Sequence, residues 1–249
     1  MMRCCFITLG CRVNQYESDA MAELLTQAGF EITENPSEAD VCIVNTCTVT
    51  NIADRKSRQM LSKAHKLNPN AKLIAAGCFA QRSPEAAAKL EGVYAVLGSA
   101  DKNRVVELVK SIAEGRENES KSEKCNCGEK ELCDCCGGMK KFEQPENSEC
   151  SGNAAGGTKI LVRDVMHEHE FEEMSAVHEG RTRAYLKIQD GCNMFCTYCA
   201  IPYARGGLRS RPIESVRAEA EKLNNEGFSE VVLTGIHLMS YGRDLRSGT

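Results

Sequence analysis

Three cysteines, Cys192, Cys196 and Cys199, stand in the spacing C-x3-C-x2-C. A loop of that length can turn three thiolates onto one face of an iron–sulfur cube, for which cysteine thiolate is the usual iron ligand. Three ligands on a four-iron cluster leave one iron open, as an open position separates catalytic from structural zinc sites. A small molecule can bind there and be reduced. A structural zinc is the alternative, but zinc usually takes four ligands, often as paired C-x2-C knuckles. No further Cys follows Cys199, and the next His is His237.

A second set of cysteines is spread along the chain. Cys11, Cys47 and Cys78 each follow directly on a short apolar run that reads as a strand: 4–9, 39–45 and 72–76. The spacing of about 30 residues is that of a strand–helix unit, so parallel strands would deliver all three cysteines to one carboxyl edge. Open α/β sheets place their ligands at that edge. A shared metal site is therefore expected there. Cys4, Cys5 and Cys42 lie inside the strands and read as small apolar core residues.

The elements around these cysteines alternate. Helical spacing covers 17–28 (Met21, Leu24, Leu25, Ala28), and further helices are expected near 52–67, 84–90 and 102–114, with a strand near 94–97. Strand–helix alternation predicts a doubly wound parallel α/β domain over residues 1–115. Residues 116–157 are rich in Glu, Lys, Ser, Asn and Gly and read as a disordered insert or linker. Their cysteines, Cys125, Cys127, Cys133, Cys135, Cys136 and Cys150, have no core to position them. Residues 158–249 hold a strand at 183–189 feeding the cluster loop, a helix at 213–224 and a strand at 230–235. That is the start of a (β/α) barrel, with the loop at the carboxyl end of its first strand, where barrel chemistry gathers.

Composition sets outer bounds. The chain has 249 residues and a formal net charge of −4, so contact with nucleic acid must come from local basic patches rather than overall charge. Two such patches are Arg55, Lys56 and Arg58, and Arg205, Arg209 and Arg211. No apolar run of about 18 residues suggests a membrane span. Fifteen cysteines without a secretory signal argue for metal binding, reactivity or core filling rather than a disulfide scaffold.

The stretch Gly191-Cys192 to Gly206, with the run Cys-Thr-Tyr-Cys-Ala-Ile-Pro-Tyr-Ala-Arg-Gly, resembles the cluster loop of radical S-adenosylmethionine (SAM) enzymes, and more narrowly the methylthiotransferase branch. Thr8-Leu-Gly-Cys11-Arg-Val-Asn, Asn45-Thr-Cys47 and Gly77-Cys78 resemble that family's amino-terminal domain. The resemblance implies two [4Fe-4S] clusters, on Cys11, Cys47 and Cys78 and on Cys192, Cys196 and Cys199, with Tyr198 beside the SAM adenine. It implies reductive cleavage of SAM to a radical that activates a substrate carbon, and sulfur insertion with methyl transfer from the first-domain cluster. No residue is assigned an acid–base role.

Within the family, Gln189-Asp-Gly191 and Leu233-Thr-Gly-Ile-His-Leu-Met-Ser-Tyr-Gly242 look most like the bacterial branch acting on N6-threonylcarbamoyladenosine at tRNA position 37. Expected partners are the tRNA anticodon loop, an electron donor such as flavodoxin or ferredoxin and a sulfur donor, in the cytoplasm and away from membranes. The alternatives are a methylthiotransferase acting on isopentenyladenosine in tRNA or on a ribosomal protein, and a non-catalytic iron–sulfur-binding fragment. Because the barrel pattern stops after two strands, the chain is expected to be truncated and inactive alone.

Overall fold

The computed structural model describes residues 1–115, 157–176 and 182–245. The cysteine-rich stretch from 116 to 156 lies outside the described residues. The first domain runs β1 (Arg3–Thr8), α1 (Arg12–Gln27), β2 (Glu31–Ile32), β3 (Val41–Thr46), α2 (Asn51–Leu67), β4 (Lys72–Gly77), α3 (Cys78–Arg82), α4 (Pro84–Ala88), β5 (Val93–Leu97) and α5 (Val105–Ala113), with β6 (Lys159–Leu161) beyond the insert. The strands form one sheet in the order β2-β1-β3-β4-β5-β6, every pairing parallel. Parallel strands need crossovers, and the helices supply them on both faces. Met21 and Leu25 of α1 pack with Leu108 and Val109 of α5 over Cys4, Val41 and Ile43. On the other face Leu61, Phe79 and Ala87 cover Cys5, Cys42, Val44 and Leu73. β3 is therefore buried along its whole length, as a central strand covered on both faces must be.

Three details differ from the sequence expectation. Helix α1 begins at Arg12 rather than 17, and its first turns bury the polar Asn14, Glu17 and Ser18 beside Val13 and Tyr16. Cys78 does not lie in a loop but opens the short helix α3. Residues 159–161, read from sequence as opening the second unit, pair with β5 and extend the first sheet.

The second unit contains β7 (Ala184–Lys187), β8 (Gln189–Asp190), α6 (Ile201–Arg205), β9 (Arg209–Ser210), α7 (Ile213–Asn225) and β10 (Val231–Thr234). β7 and β10 pair in parallel, with α7 crossing between them. Ala184, Leu186, Ile188 and Leu223 form their shared core. β8 and β9 pair antiparallel and clamp the two ends of the cysteine loop together. A small cluster of Tyr16, Ala20, Met174, Ala176 and Tyr185 joins α1 to this unit. Among the described residues, no helix is long and apolar enough to cross a membrane.

Candidate functional site

Cys11, Cys47 and Cys78 all lie at the carboxyl edge of the sheet, just past the neighbouring strands β1, β3 and β4. The register pairs Thr8 with Asn45 and Thr46 with Gly77, so the strands end almost level. In the order β2-β1-β3 the connections run outward in opposite directions from β1, and the crevice opened by such a switch is where doubly wound sheets bind ligands. Cys11 and Cys47 flank that crevice. Cys11 is exposed, whereas Cys47 and Cys78 are buried. Gly10 has φ +100°, and a Cβ built there would lie 2.8 Å from Cys47 Sγ, so the turn before Cys11 runs against the second cysteine.

Polar side chains fix these strand ends. Asn14 Nδ2 donates to Leu9 O at 2.8 Å and to Thr46 O at 2.9 Å, tying together the residues that lead into Cys11 and Cys47. Ser57 of α2 holds Cys47 from the other side, accepting from its N–H at 3.0 Å and donating to its carbonyl at 2.7 Å. Asn45 Nδ2 donates to Asn14 O and Ser18 Oγ. Most of these groups are buried, where an unpaired amide is costly, so the pairing specifies one arrangement.

The second triad sits on an open loop between β8 and α6. Cys196 is exposed, and Cys192 and Cys199 are half-buried. The loop is closed at its base where Cys192 N–H donates to Gly206 O at 3.1 Å, and inside it Cys199 N–H donates to Cys196 O at 2.9 Å. Phe195 takes φ +45°, an unusual conformation for a residue with a Cβ. Met194, Phe195, Tyr198 and Tyr203 all present apolar surface around the cysteines, and Tyr198 is 90% exposed.

Between the triads lies a buried ion network. Arg205, at the end of α6, donates to Glu17 at 2.8 and 3.0 Å, to Asp190 at 3.0 Å and to Asn14 Oδ1 at 2.6 Å. Lys187 bridges Glu17 and Asp190 at 2.7 Å to each, and Lys102 reaches Glu17 at 3.0 Å. Arg209 Nη2 lies 3.8 Å from Asp190 and donates to Arg205 O. Neighbouring cations hold Glu17 and Asp190 well below the usual carboxylate range against the opposing pull of burial. Burial pushes the Cys78 thiol up, while Arg205 and Lys102 pull it down. Among the described residues, four buried cations thus pair with two buried carboxylates, and Arg205 Nε–H has no hydrogen-bond partner.

These features fit an anionic, thiolate-held group at the first edge. The donor set is sulfur, a buried cationic excess adjoins it, and a buried N–H there lacks an acceptor. Among the described residues no three Cys, His, Asp or Glu side chains converge on one point as ligands of a single ion would. A cube asks for no such convergence, because each thiolate meets a different iron.

Comparison with known proteins supplies the context. Residues 3–98 match the family described as Uncharacterized protein family UPF0004, and residues 186–243 match the Radical SAM superfamily. The threonylcarbamoyladenosine tRNA methylthiotransferase MtaB of Bacillus subtilis is 38% identical over 97% of this chain and 45% of its own length. The chain is thus similar to proteins named as methylthiotransferases. The ribosomal protein uS12 methylthiotransferase RimO of Chloroflexus aurantiacus is 32% identical over 96% of this chain and 47% of its own length. The chain thus spans about half the length of the curated relatives it matches. The radical SAM methyltransferase TsrM of Kitasatospora setae, solved with tryptophan and a SAM analogue, superposes with a TM-score of 0.55 over 94% of this chain and 48% of its own, at 16% identity. That likeness shows the α/β fold.

One sequence expectation needs correction. Arg205, Arg209 and Arg211 do not form a surface patch for phosphates. All three are buried, Arg205 and Arg209 in the network above and Arg211 against Glu219 at 2.7 Å. Their charge points to solvent when read from the sequence, whereas the end of α6 and the strand β9 turn them inward onto carboxylates. On α2, Arg55 and Lys56 are exposed as expected, while Arg58 pairs with Asp54 at 3.0 Å. The missed residues are Asn14, Glu17, Lys102 and Lys187. For Asn14 and Glu17 the signal was polar residues interleaved with Val13 and Tyr16 at the start of the helix.

Proposed function

We propose that the chain carries the two cysteine-bearing domains of a tRNA methylthiotransferase acting on carbon 2 of N6-threonylcarbamoyladenosine at position 37, beside the anticodon. The observation that carries this reading is that two cysteine triads occur on one chain and are linked through one buried network centred on Arg205. A radical SAM reaction alone needs only the loop triad; a second thiol site beside it favours sulfur insertion. Cys11, Cys47 and Cys78 would hold one [4Fe-4S] cluster, and Cys192, Cys196 and Cys199 the other. When bound, these groups supply the electron that opens SAM and the sulfur that is transferred.

The chain's own residues have narrower tasks. Tyr198, already exposed beside Cys199, would lie against the SAM adenine. The exposed Arg55 and Lys56 would meet tRNA phosphates, which position a nucleic acid without reading its bases. Reduction would come from a small carrier such as flavodoxin or ferredoxin, in the cytoplasm where tRNA is processed.

A second reading, methylthiolation of a ribosomal protein, is favoured by the 32% match to the uS12 enzyme. The deciding experiment analyses tRNA nucleosides and ribosomal protein uS12 from cells that lack and then regain the gene. Methylthio-threonylcarbamoyladenosine returning with the gene supports the first reading. Its continued absence, with methylthiolated uS12 returning instead, replaces it with the second.

A further inference from the structure

Arg205 follows the loop triad by six residues and touches the scaffold of the other triad. Its Nη2 lies 2.6 Å from Asn14 Oδ1, and the same oxygen lies 4.0 Å from Cys11 Sγ. Through its Nδ2, Asn14 holds the carbonyls of Leu9 and Thr46, the residues before the Gly10–Cys11 turn and before Cys47. One side chain of the second unit therefore reaches, through Asn14, the surroundings of Cys11 and Cys47 in the first.

The charge at this point is unbalanced. Among the described residues, the four buried cations Lys102, Lys187, Arg205 and Arg209 have two buried carboxylates as their ion-pair partners, Glu17 and Asp190. A buried charge is stable only when compensated, and breaking such compensation costs several kcal/mol. A buried donor without an acceptor is likewise unfavourable, and Arg205 Nε–H is such a donor. The surplus charge and the spare donor both lack an anion, and the neighbouring chemistry that supplies one is thiolate-bound iron–sulfur.

We propose that Arg205 is a positioning residue that sets the reduction potential of the cluster on Cys11, Cys47 and Cys78, its buried positive charge favouring the more negative, reduced state. This rests on the cluster reading above. Potentials of such clusters follow net charge, hydrogen bonding and burial, and Arg205 places a buried positive charge next to the residue that holds the Cys11 and Cys47 strand ends. The same side chain fixes the loop triad relative to the first, so the potential of one site depends on the seating of the other.

The test uses the full chain with Cys192, Cys196 and Cys199 replaced by Ala, so that iron reports only the first triad. After anaerobic reconstitution, iron is counted and the midpoint potential followed by electron paramagnetic resonance. Arg205→Gln is expected to shift the potential downward and Arg205→Lys to shift it less. Glu17→Gln removes a negative charge from the same network and is expected to shift it upward, which a merely structural role would not produce. If Arg205→Gln fails to fold, as judged by circular dichroism, the upward shift in Glu17→Gln carries the test. Retained iron with an unmoved potential, or shifts of one sign in both variants, overturns the proposal. No iron in the parent with all first-triad cysteines present sinks the cluster reading itself, and this role with it.

Discussion

Arg205 and Glu17, 188 residues apart, meet in two hydrogen bonds at 2.8 and 3.0 Å with both side chains fully buried. The pair is the hinge pin between a helix of the first domain and the end of the cysteine loop in the second. Its geometry is that of a planar fork against a carboxylate, an arrangement lysine cannot reproduce. Removing one partner leaves the other charged and buried. Glu17→Ala is therefore expected to cost about 3–5 kcal/mol, read from urea unfolding of the apoprotein, and Arg205→Met a similar amount. An unfolding midpoint unchanged in both would show that the pair contributes nothing.

The same pair makes stability depend on pH in a defined sense. Glu17 has its carboxyl held below its ordinary 4.5 by Arg205, Lys102 and Lys187. Its folded pKa is thus depressed, and the unfolded chain binds the proton more readily. The contribution is complete above the ordinary value and is lost as pH falls through the folded one. The stability gap between the parent and Glu17→Gln should be constant from about pH 6 to 8 and should narrow below about pH 4.5. A gap that widens with acid would reverse the assignment.

How much of this could be read from the chain itself depended on residue chemistry. The three strand-end cysteines were legible because apolar runs stop just before them, and the parallel sheet places them along one edge. The loop triad was legible from spacing. The network was not, since Asn14, Glu17, Lys102 and Lys187 look like ordinary polar positions until the fold buries them together. Arg205, Arg209 and Arg211 misled for the same reason: charge in a sequence implies solvent unless a partner is visible, and their partners lie on other elements. The strand at 159–161 was hidden because its partner β5 lies across the insert.

Iron counting separates ligand cysteines from core cysteines. In the anaerobically reconstituted chain, Cys→Ala at Cys11, Cys47 or Cys78 should remove about half the iron, since on the proposed reading each would remove one of three ligands of one cluster. Cys42→Ala is the matched comparison. Cys42 is as buried as Cys78, pairs in register with Cys5 inside the sheet and lies in an apolar core. It should keep all the iron. Equal iron in all four variants would return the strand-end cysteines to the core.

Basic residues on α2 and just past β9 should fail in different ways. Arg55 and Lys56 are exposed, so Arg55→Glu with Lys56→Glu should change stability by no more than about 0.5 kcal/mol. The same double variant should weaken tRNA binding and flatten its salt dependence, by about one in the log–log slope for each phosphate no longer neutralised. Arg211→Ala is expected to do the reverse, destabilising the fold through its buried partner Glu219. Filter binding across a salt series, alongside urea unfolding, reads both. A salt slope unchanged by reversing the charges on α2 would place the tRNA elsewhere on the surface.

The last prediction concerns the turn before Cys11. Gly10 and Gly29 have similar backbones, φ +100° and +90°, but different surroundings. An alanine at either position carries backbone strain of about 1–3 kcal/mol. At Gly29 a Cβ meets nothing within 4 Å, so Gly29→Ala should lower stability and leave the iron intact. At Gly10 the new methyl would press on Cys47, 2.8 Å from Sγ and 2.9 Å from Cβ. The residue is held from behind by Ser57 through the Cys47 backbone, so it cannot retreat without breaking those bonds. Gly10→Ala should therefore lose the first-triad iron as well as stability, while the loop triad keeps its share. If the two variants lose the same stability and neither loses iron, the close approach of Gly10 to Cys47 has no bearing on how that edge binds metal.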